Sequence, residues 1–246
     1  MTRPKNKSVA RRFAERVGVL VHEAGIDVTR APFTYRVTFA MHQRGIVNVL
    51  DIGANTGQFA TEMRRAKVSG QIVSVEPLQS AFDKLTVRAA KDPLWSAERA
   101  AVSGTVGAVT MNVSANSVSS SLMPMLERHA DAAPSSEYVA TEEVASTTVD
   151  DLVARYGLTP ETTMLKIDVQ GHEMSVLDGA KETLPHFGAV RTELSLVPLY
   201  SGQALLPDIY SRLDANGLDL WVVENGFNDP QTRRQLQLDG TFFRRQ

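Results

Sequence analysis

The fold is decided by the stretch Val47-Asn48-Val49-Leu50-Asp51-Ile52-Gly53-Ala54-Asn55-Thr56-Gly57-Gln58-Phe59. An apolar run containing an acid leads into a turn with two glycines, and apolar residues at helical spacing begin directly after it. This order predicts a strand, a ligand-binding turn and a helix. Glycines let a backbone approach a ligand, and the N–H groups that open a helix lie where α/β sheets bind ligands. The stretch therefore predicts a site for a nucleoside-bearing cofactor; the alternative is a turn whose glycines only permit tight packing.

Composition restricts the remaining possibilities. A chain of 246 residues with 43% hydrophobic residues is long enough for one α/β core with a short appendage. The net charge of −2 argues against a nucleic-acid partner. The chain has no cysteine, which excludes disulfides, thiolate metal sites and thiol nucleophiles. It has no signal-peptide pattern and no long apolar run, so we expect a cytoplasmic protein without stable membrane insertion.

The order of apolar segments predicts the domain organisation. Residues 1–45 contain two helical patterns and form an N-terminal helical extension, and residues 46–246 form the main domain. The predicted strands are 47–52, Gln71 to Glu76, Glu98 to Val102, Met164 to Val169, Ala189 to Leu194, Leu218 to Val223 and Leu236 to Phe243. Helical patterns separate most of them, whereas a polar connection joins the last two. We expect a Rossmann-like, doubly wound, mostly parallel seven-stranded sheet with an antiparallel C-terminal strand.

Acids lie at the end of the second predicted strand, after the fourth and inside the fifth. Glu76 ends the second strand, where a carboxylate can accept hydrogen bonds from ribose hydroxyls. Asp168, His172 and Glu173 follow the fourth strand, although Glu173 could merely complement a helix dipole. Glu193 lies inside an otherwise apolar fifth strand, where an unpartnered acid would be costly to bury. These residues are predicted to line one crevice.

A long polar segment, residues 114–146, interrupts the α/β pattern. Such an insertion in a compact domain is typical of a lid or a binding loop. His129 and Tyr138 could reach a polar substrate from it. The alternative is a solvated insertion that carries a surface histidine.

Several of these segments together resemble the FkbM-type branch of class I S-adenosylmethionine-dependent methyltransferases. The matching segments occur in the expected order between residues 47 and 243: Leu50 to Phe59, Ser74-Val75-Glu76-Pro77, Ser119 to Leu122, Leu165 to Glu173, and Gln237 to Phe243. The segment around Met123, His129 and Tyr138, with Glu193-Leu194-Ser195, resembles the members that methylate sugar hydroxyls of glycolipids and polysaccharides.

The resemblance implies the cofactor S-adenosylmethionine, with the Gly53 to Gly57 turn on the methionine moiety, Glu76 on the ribose and Ser103 near the adenine. The expected cofactor-binding residues are Asp51, Gly53, Asn55, Gly57, Gln58, Phe59, Glu76, Pro77, Ser103 and Asp168. Relatives often carry an aromatic or small residue at position 172, so His172 departs from the pattern.

The implied reaction is O-methylation of a sugar hydroxyl in a small-molecule, oligosaccharide or glycolipid acceptor, and a homodimer is compatible with it. The candidate catalytic residues are Asp168, His172, Glu173, Glu193 and His129. A sugar hydroxyl needs a base or a polarising cation. His172, His129 or Asp168 could be the base, and Asp168, Glu173 and Glu193 offer the oxygen ligands that Mg²⁺ prefers.

Three alternatives remain at this point. One is O-methylation of a polyketide or another secondary metabolite. A second is a nicotinamide-dependent oxidoreductase, but a dinucleotide fingerprint wants glycine-like residues where this chain has Asn55 and Gln58. The third is a non-catalytic nucleoside-binding domain, which would not need the acids around Asp168 and Glu193.

Overall fold

The computed structural model describes residues 33–116 and 118–246. Its main feature is a seven-stranded sheet in the order β3-β2-β1-β7-β8-β10-β9. The strands of this sheet are β1 (Asn48–Ile52), β2 (Ile72–Val75), β3 (Trp95–Glu98), β7 (Thr163–Ile167), β8 (Ala189–Ser195), β9 (Leu218–Asn225) and β10 (Gln237–Arg244). Of the two helical patterns predicted within residues 1–45, the first, over residues 8–24, lies outside the described residues.

The strand directions confirm the predicted fold class. β1, β2, β3, β7 and β8 pair in parallel, so their carboxyl ends meet at one edge of the sheet. The last strand, β10, inserts between β8 and β9 and runs antiparallel to both. This arrangement is the predicted Rossmann-like sheet with an antiparallel C-terminal strand.

The third strand and the inserted segment differ from the prediction. The third strand of the sheet is β3, which ends at Glu98, where the predicted strand begins; the rest of the predicted segment holds only the two-residue β4 (Ala101–Val102), which joins a second sheet. β3 begins earlier because Trp95 is buried and its Nε1 donates to Ser74 Oγ at 3.0 Å. The second sheet also holds β5 (Gly107–Ser114) and β6 (Tyr138–Thr147), which pair antiparallel. β6 therefore takes the C-terminal part of the predicted loop, and the irregular connection is shorter than residues 114–146.

Helices cover both faces of the main sheet. They are α1 (Phe33–Gln43), α2 (Gln58–Arg65), α3 (Gln79–Ala89), α5 (Val149–Tyr156), α6 (Glu173–Asp178) and α7 (Leu206–Ala215), whereas α4 (Glu127–Ala132) lies in the segment between β5 and β6. One buried cluster includes residues of α1, α2 and α3, and a second includes residues of α5, α6 and α7. Two faces covered by apolar clusters hold the strand ends rigidly. Within the described residues, no helix has the length and apolar character needed to cross a bilayer.

Candidate active site

A cavity of about 580 Å³ opens at the carboxyl edge of the main sheet. This volume is in the range of small-molecule pockets. One part is lined by the glycine turn and the ends of β2 and β4, and the other by the segment between β5 and β6 and by the acids that follow β7 and β8. The predicted residues that line the cavity are Gly53, Asn55, Gln58, Phe59, Glu76, Pro77, His129, Asp168, His172 and Glu193.

The glycine turn is held against the end of β2. Gly53 has φ of 70° and Asn55 has φ of 47°, so both backbones are left-handed. The backbone N–H of Asn55 donates to Glu76 Oε2 at 2.8 Å, and Leu78 N donates to Oε1 at 3.0 Å. Glu76 thus fixes the turn and still faces the cavity. Burial, opposed by these two hydrogen bonds, raises the pKa of Glu76 to about 7.

A row of polar side chains crosses the sheet beneath the turn. Strand pairing aligns Ser74, Asp51, Lys166 and Arg191 on β2, β1, β7 and β8. The ring of Phe59 covers the two cations, with its centroid 5.9 Å from Lys166 Nζ and 5.7 Å from Arg191 Cζ. Phe59 lies in the first turn of α2, so cation–π contacts place the start of that helix over the sheet.

Lys166 connects the turn to the acid that follows β7. Its Nζ lies 3.2 Å from Asp51 Oδ1 and 3.4 Å from Asp168 Oδ2, and it donates to Gly53 O at 2.8 Å. Burial alone would lower the pKa of Lys166, but the charges of Asp168 and Asp51 outweigh it and raise this pKa. Asp51 is 0% exposed and does not line the cavity, so it supports the site from behind rather than facing a ligand.

Gln170 joins two of the acids that face the cavity, Asp168 and Glu193. Its Nε2 donates to Asp168 Oδ1 at 3.0 Å and to Glu193 Oε2 at 2.8 Å. Burial, followed by the charges of Asp168 and Glu173, raises the pKa of Glu193 well above its ordinary value. The carboxyl groups of Asp168 and Glu193 therefore face the cavity together, each accepting a hydrogen bond from the same amide.

Four of the predicted site residues do not line the cavity: Asp51, Gly57, Ser103 and Glu173. Glu173 is buried and its Oε1 accepts from Gly171 N at 2.9 Å, so its carboxyl group braces the turn after β7. Burial, together with the charge of Asp168, raises the pKa of Glu173 to about 7. Ser103 Oγ donates to Thr105 O at 3.0 Å, while Ala101 and its neighbours form the cavity wall. Gly57 instead provides room, because a Cβ there would lie 2.9 Å from Trp95 Cζ2.

The two histidines both line the cavity. His129 is 4% exposed, and its ring packs against Tyr200 and Phe227 at centroid distances of 5.1 and 5.4 Å. Its Nδ1 has no hydrogen-bond partner among the residues that the structure describes. His172 lies at the start of α6. Burial lowers the pKa of both imidazoles, which favours their neutral forms at physiological pH. Tyr138, the other loop candidate, donates its OH to Met123 O at 2.7 Å.

The predicted metal ligands are not assembled into a metal site. Across residues 33–116 and 118–246, no group of three histidine or acidic side chains is arranged to hold a metal ion. Asp168 and Glu193 are instead joined by an amide, and Glu173 faces the turn backbone. These three acids therefore share no common metal-binding point in the described residues, and the expectation that they hold Mg²⁺ stays a prediction.

Sequence reasoning did not single out several polar residues that line the cavity, among them Lys166, Gln170, Arg191 and Asp239. Lys166 and Arg191 carry the same signal that singled out Glu193, a charged residue inside a buried strand. Asp239 pairs across strands with Glu193, and its carboxyl group lies 3.2 Å from Arg191 Nη2. Burial raises the pKa of Asp239, and the Arg191 charge opposes that increase.

Comparison with known proteins agrees with this geometry. The model of the methyltransferase FkbM domain matches residues 51–220. The chain belongs to the FkbM methyltransferase domain family. This family membership supports S-adenosylmethionine as the cofactor. It counts against the alternative that the glycine turn belongs to a nicotinamide-dependent oxidoreductase.

Two relatives illustrate how far the similarity extends. Methyltransferase sdnD of Sordaria araneosa is 24% identical over 230 residues, which cover 79% of this chain and 85% of that protein. The crystal structure of methyltransferase FkbM from Methylobacillus flagellatus KT is 13% identical, with a TM-score of 0.51. That match covers 80% of this FkbM-family chain but 44% of the other, so this chain spans less than half the length of that protein. The structural likeness confirms the fold.

The cavity fits the expected cofactor. Glu76 presents a carboxylate whose two oxygens each use one backbone donor, which leaves further lone pairs for ribose hydroxyls. The apolar wall from Pro77, Leu78 and Ala100 to Val102 suits a flat base. Phe59 and the Gly53 turn lie on the side where the methionine moiety is expected.

Binding of S-adenosylmethionine should weaken as the pH falls from 8 to 6. Ribose hydroxyls donate to the ionised carboxylate, and a pKa of about 7 for Glu76 means that this form is lost on acidification. The ionised fraction falls about tenfold over that range, so the Kd should rise about tenfold. Isothermal titration calorimetry on the wild type and on Glu76→Gln checks this. The variant should bind weakly with little pH dependence; a constant wild-type Kd would contradict the role of Glu76.

Proposed function

We propose that this protein transfers the methyl group of S-adenosylmethionine to a hydroxyl oxygen of a sugar in a glycolipid, oligosaccharide or polysaccharide precursor. One observation carries the proposal: the carboxyl groups of Asp168 and Glu193, joined by Gln170, face the same cavity as the cofactor turn. Methyl transfer to oxygen needs a proton acceptor beside the donor, and this pair offers one.

S-adenosylmethionine, when bound, supplies a methyl group on a sulfonium sulfur, and that sulfur leaves with the electron pair of the broken C–S bond. Asp168 and Glu193 hold the acceptor hydroxyl and take its proton as the new C–O bond forms. A carboxyl base suits this task better when its pKa lies above the ordinary carboxyl value. Burial raises the pKa of Glu193 in this direction, and we assign the proton to this carboxyl pair rather than to a histidine.

His129 and His172 are proposed to recognise the acceptor. Both are held towards the neutral form by burial. A neutral imidazole offers one donor and one acceptor nitrogen, and both histidines line the cavity that the acceptor would enter. We propose no catalytic role for Glu173, whose carboxyl group faces the turn backbone.

The lining of the acceptor part supports a sugar. Asn116, Gln237 and Asp239 offer hydrogen-bonding groups, and Phe227 offers an aromatic face. A sugar carries many hydroxyls and also apolar C–H faces. Its hydroxyls would contact the hydrogen-bonding side chains, and a C–H face would pack on the aromatic ring. The segment between β5 and β6, anchored by a hydrogen bond from Leu126 N to Leu199 O at 2.9 Å, is proposed as the lid over this part. Residues 1–45 are proposed to be a helical extension to the methyltransferase domain.

A ligand series tests the cofactor assignment. At a hundredfold excess over Kd, S-adenosylmethionine should stabilise the fold by about 2.7 kcal/mol, which raises the Tm by roughly 5–10 °C for a domain of this size. S-adenosylhomocysteine should act similarly and NAD should not. Stabilisation by NAD alone would overturn the proposed function.

A second experiment tests the acceptor. Labelled methyl from S-adenosylmethionine should enter sugars of a mono- and oligosaccharide panel, at the same rate with Mg²⁺ or with EDTA. Transfer only to polyketide hydroxyls would replace the sugar by that alternative, and a need for Mg²⁺ would mean that a cation assembles with the acceptor. Cofactor binding without transfer to any hydroxyl would favour a non-catalytic domain.

A further inference from the structure

Gln170 occupies the centre of the proton-accepting group, and no role follows for it from the sequence pattern. Its amide NH₂ carries two N–H groups, and one donates to each carboxylate, Asp168 and Glu193. Two neighbouring carboxylates repel each other, and hydrogen bonds to their ionised forms offset part of that repulsion. The amide therefore stabilises an arrangement that charge alone disfavours.

Tyr200 fixes which way this amide points. Its side chain is 0% exposed, and its OH donates to Gln170 Oε1 at 2.9 Å. A hydroxyl that donates to the carbonyl oxygen leaves the NH₂ group facing the carboxylates. The opposite orientation would place Oε1 against two carboxylates. Gly171 keeps the ring in place, because a Cβ there would lie 2.8 Å from Tyr200 Cδ2.

The backbone of Gln170 is also unusual. Its φ of 55° is left-handed, which is uncommon for a residue other than glycine. Strained backbones of this kind occur where the surrounding contacts hold them, frequently at functional sites. Here the contact is a hydrogen bond from Ser121 Oγ to Gln170 O at 2.6 Å, which ties the residue to the proposed lid.

We propose that Gln170, oriented by Tyr200, is a positioning residue that keeps Asp168 and Glu193 together, facing one acceptor hydroxyl. The inference rests on the proposed function, which makes this pair the proton acceptor. Gln170 itself exchanges no proton with the acceptor. It acts through the two carboxyl groups, by holding their ionised forms with one N–H each.

Several charged groups face Glu193. Asp168, Glu173 and Asp239 favour its protonated form, whereas Lys166 favours the ionised form. The hydroxyl of Tyr200 donates to Gln170 Oε1, and Nε2 of the same amide donates to Glu193. Loss of the Gln170 donor leaves the carboxylate repulsion unopposed on this side, so the pKa of Glu193 should rise further.

Two variants test the proposal. Gln170→Asn keeps a residue that tolerates left-handed backbone, but its shorter amide cannot reach both carboxylates. Tyr200→Phe keeps the ring and removes only the hydroxyl that orients the amide. Tyr210→Phe, at an exposed position on α7, is the matched control. If Gln170→Asn fails to fold, Tyr200→Phe still tests the proposal.

Two readouts separate positioning from mere structural support. In ¹³C NMR titrations of protein labelled at its Asp and Glu carboxyl carbons, the Glu193 resonance, assigned with Glu193→Gln, should titrate about one pH unit higher in both variants. With an acceptor identified in the sugar panel, kcat should fall about tenfold or more, the acid limb of its pH profile should move upward, and KM for S-adenosylmethionine should stay unchanged.

The inference would be overturned if Glu193 titrated at the same pH in Gln170→Asn, in Tyr200→Phe, in the control Tyr210→Phe and in the wild type. The titration needs no acceptor, so it stands apart from the proposed function. Shifted titrations in a protein that methylates no hydroxyl would leave the inference on geometry intact and refute the proposed function. An unshifted Glu193 titration in both variants of a protein that does methylate a hydroxyl would refute the inference and leave the proposed function intact.

Discussion

Replacing Gly53 by alanine is expected to destabilise the fold by at least about 4 kcal/mol and to abolish cofactor binding. A Cβ at this position would lie 1.8 Å from the carbonyl oxygen of Asp168, which is a backbone atom and cannot swing away. Asp168 directly follows β7, and its backbone N–H donates to Ile52 O on β1 at 3.1 Å. The overlap would therefore fall where these two strands pair. The two strand ends would have to separate, and the crevice between them would change shape.

The matched control for this prediction is Gly157→Ala. Gly157 also has a left-handed backbone, with φ of 61°, but a Cβ there meets nothing within 4 Å. This control should cost only the backbone strain of about 1–2 kcal/mol and should bind S-adenosylmethionine normally. Thermal unfolding and calorimetric titration of both variants decide the matter. Equal losses of Tm in the two variants would show that overlap with Asp168 is not what makes Gly53 necessary.

Much of the fold could be predicted from local patterns in the sequence. The sheet followed from apolar runs separated by turns and helical patterns, because parallel strands buried on both faces are apolar throughout. The site followed from acids at strand ends, because those ends meet at one edge. The third strand was misplaced because the side-chain contact that fixes its start, from Trp95 to Ser74, joins residues 21 positions apart.

The remaining site features depend on contacts that no local pattern contains. Glu173 had the expected position but not the expected direction, because its carboxyl group folds back on the turn of Gly171. Asp51 is covered by Lys166, and these two residues are 115 positions apart in the chain. Gln170 gains its role from Tyr200, which lies 30 positions further along. Residue type and spacing predict the position of a residue in the fold, whereas contacts with distant residues determine the direction of its side chain.

Glu193→Gln should reduce kcat by a factor of about 10²–10⁴, the usual contribution of a general base. Glutamine has the same shape and its Oε1 can still accept the hydrogen bond from Gln170, so the site should keep its geometry. It cannot take up the acceptor proton. Affinity for S-adenosylmethionine should stay within about twofold, since the cofactor contacts proposed for Glu76 and the glycine turn are untouched.

The same substitution should not destabilise the protein at alkaline pH. Burial and neighbouring acids raise the pKa of Glu193, so the folded state binds its proton more tightly than the unfolded chain does. The contribution of that group to stability is full below the unfolded pKa and is lost as the pH rises through the folded pKa. A neutral glutamine avoids this loss, so the Tm of Glu193→Gln should equal or exceed that of the wild type at pH 8.

Glu173→Gln is the comparison that gives this prediction its force. Glu173 is also a buried acid whose pKa is raised by burial, but its carboxyl group faces the backbone of the turn rather than the cavity. A glutamine there can still accept from Gly171 N, so we expect kcat within about tenfold of the wild type. Initial rates of labelled methyl transfer, measured with the acceptor identified in the sugar panel, compare the two variants. A large loss in Glu173→Gln with full activity in Glu193→Gln would reverse the roles assigned to these acids, and it would require the turn after β7 to open when the acceptor binds.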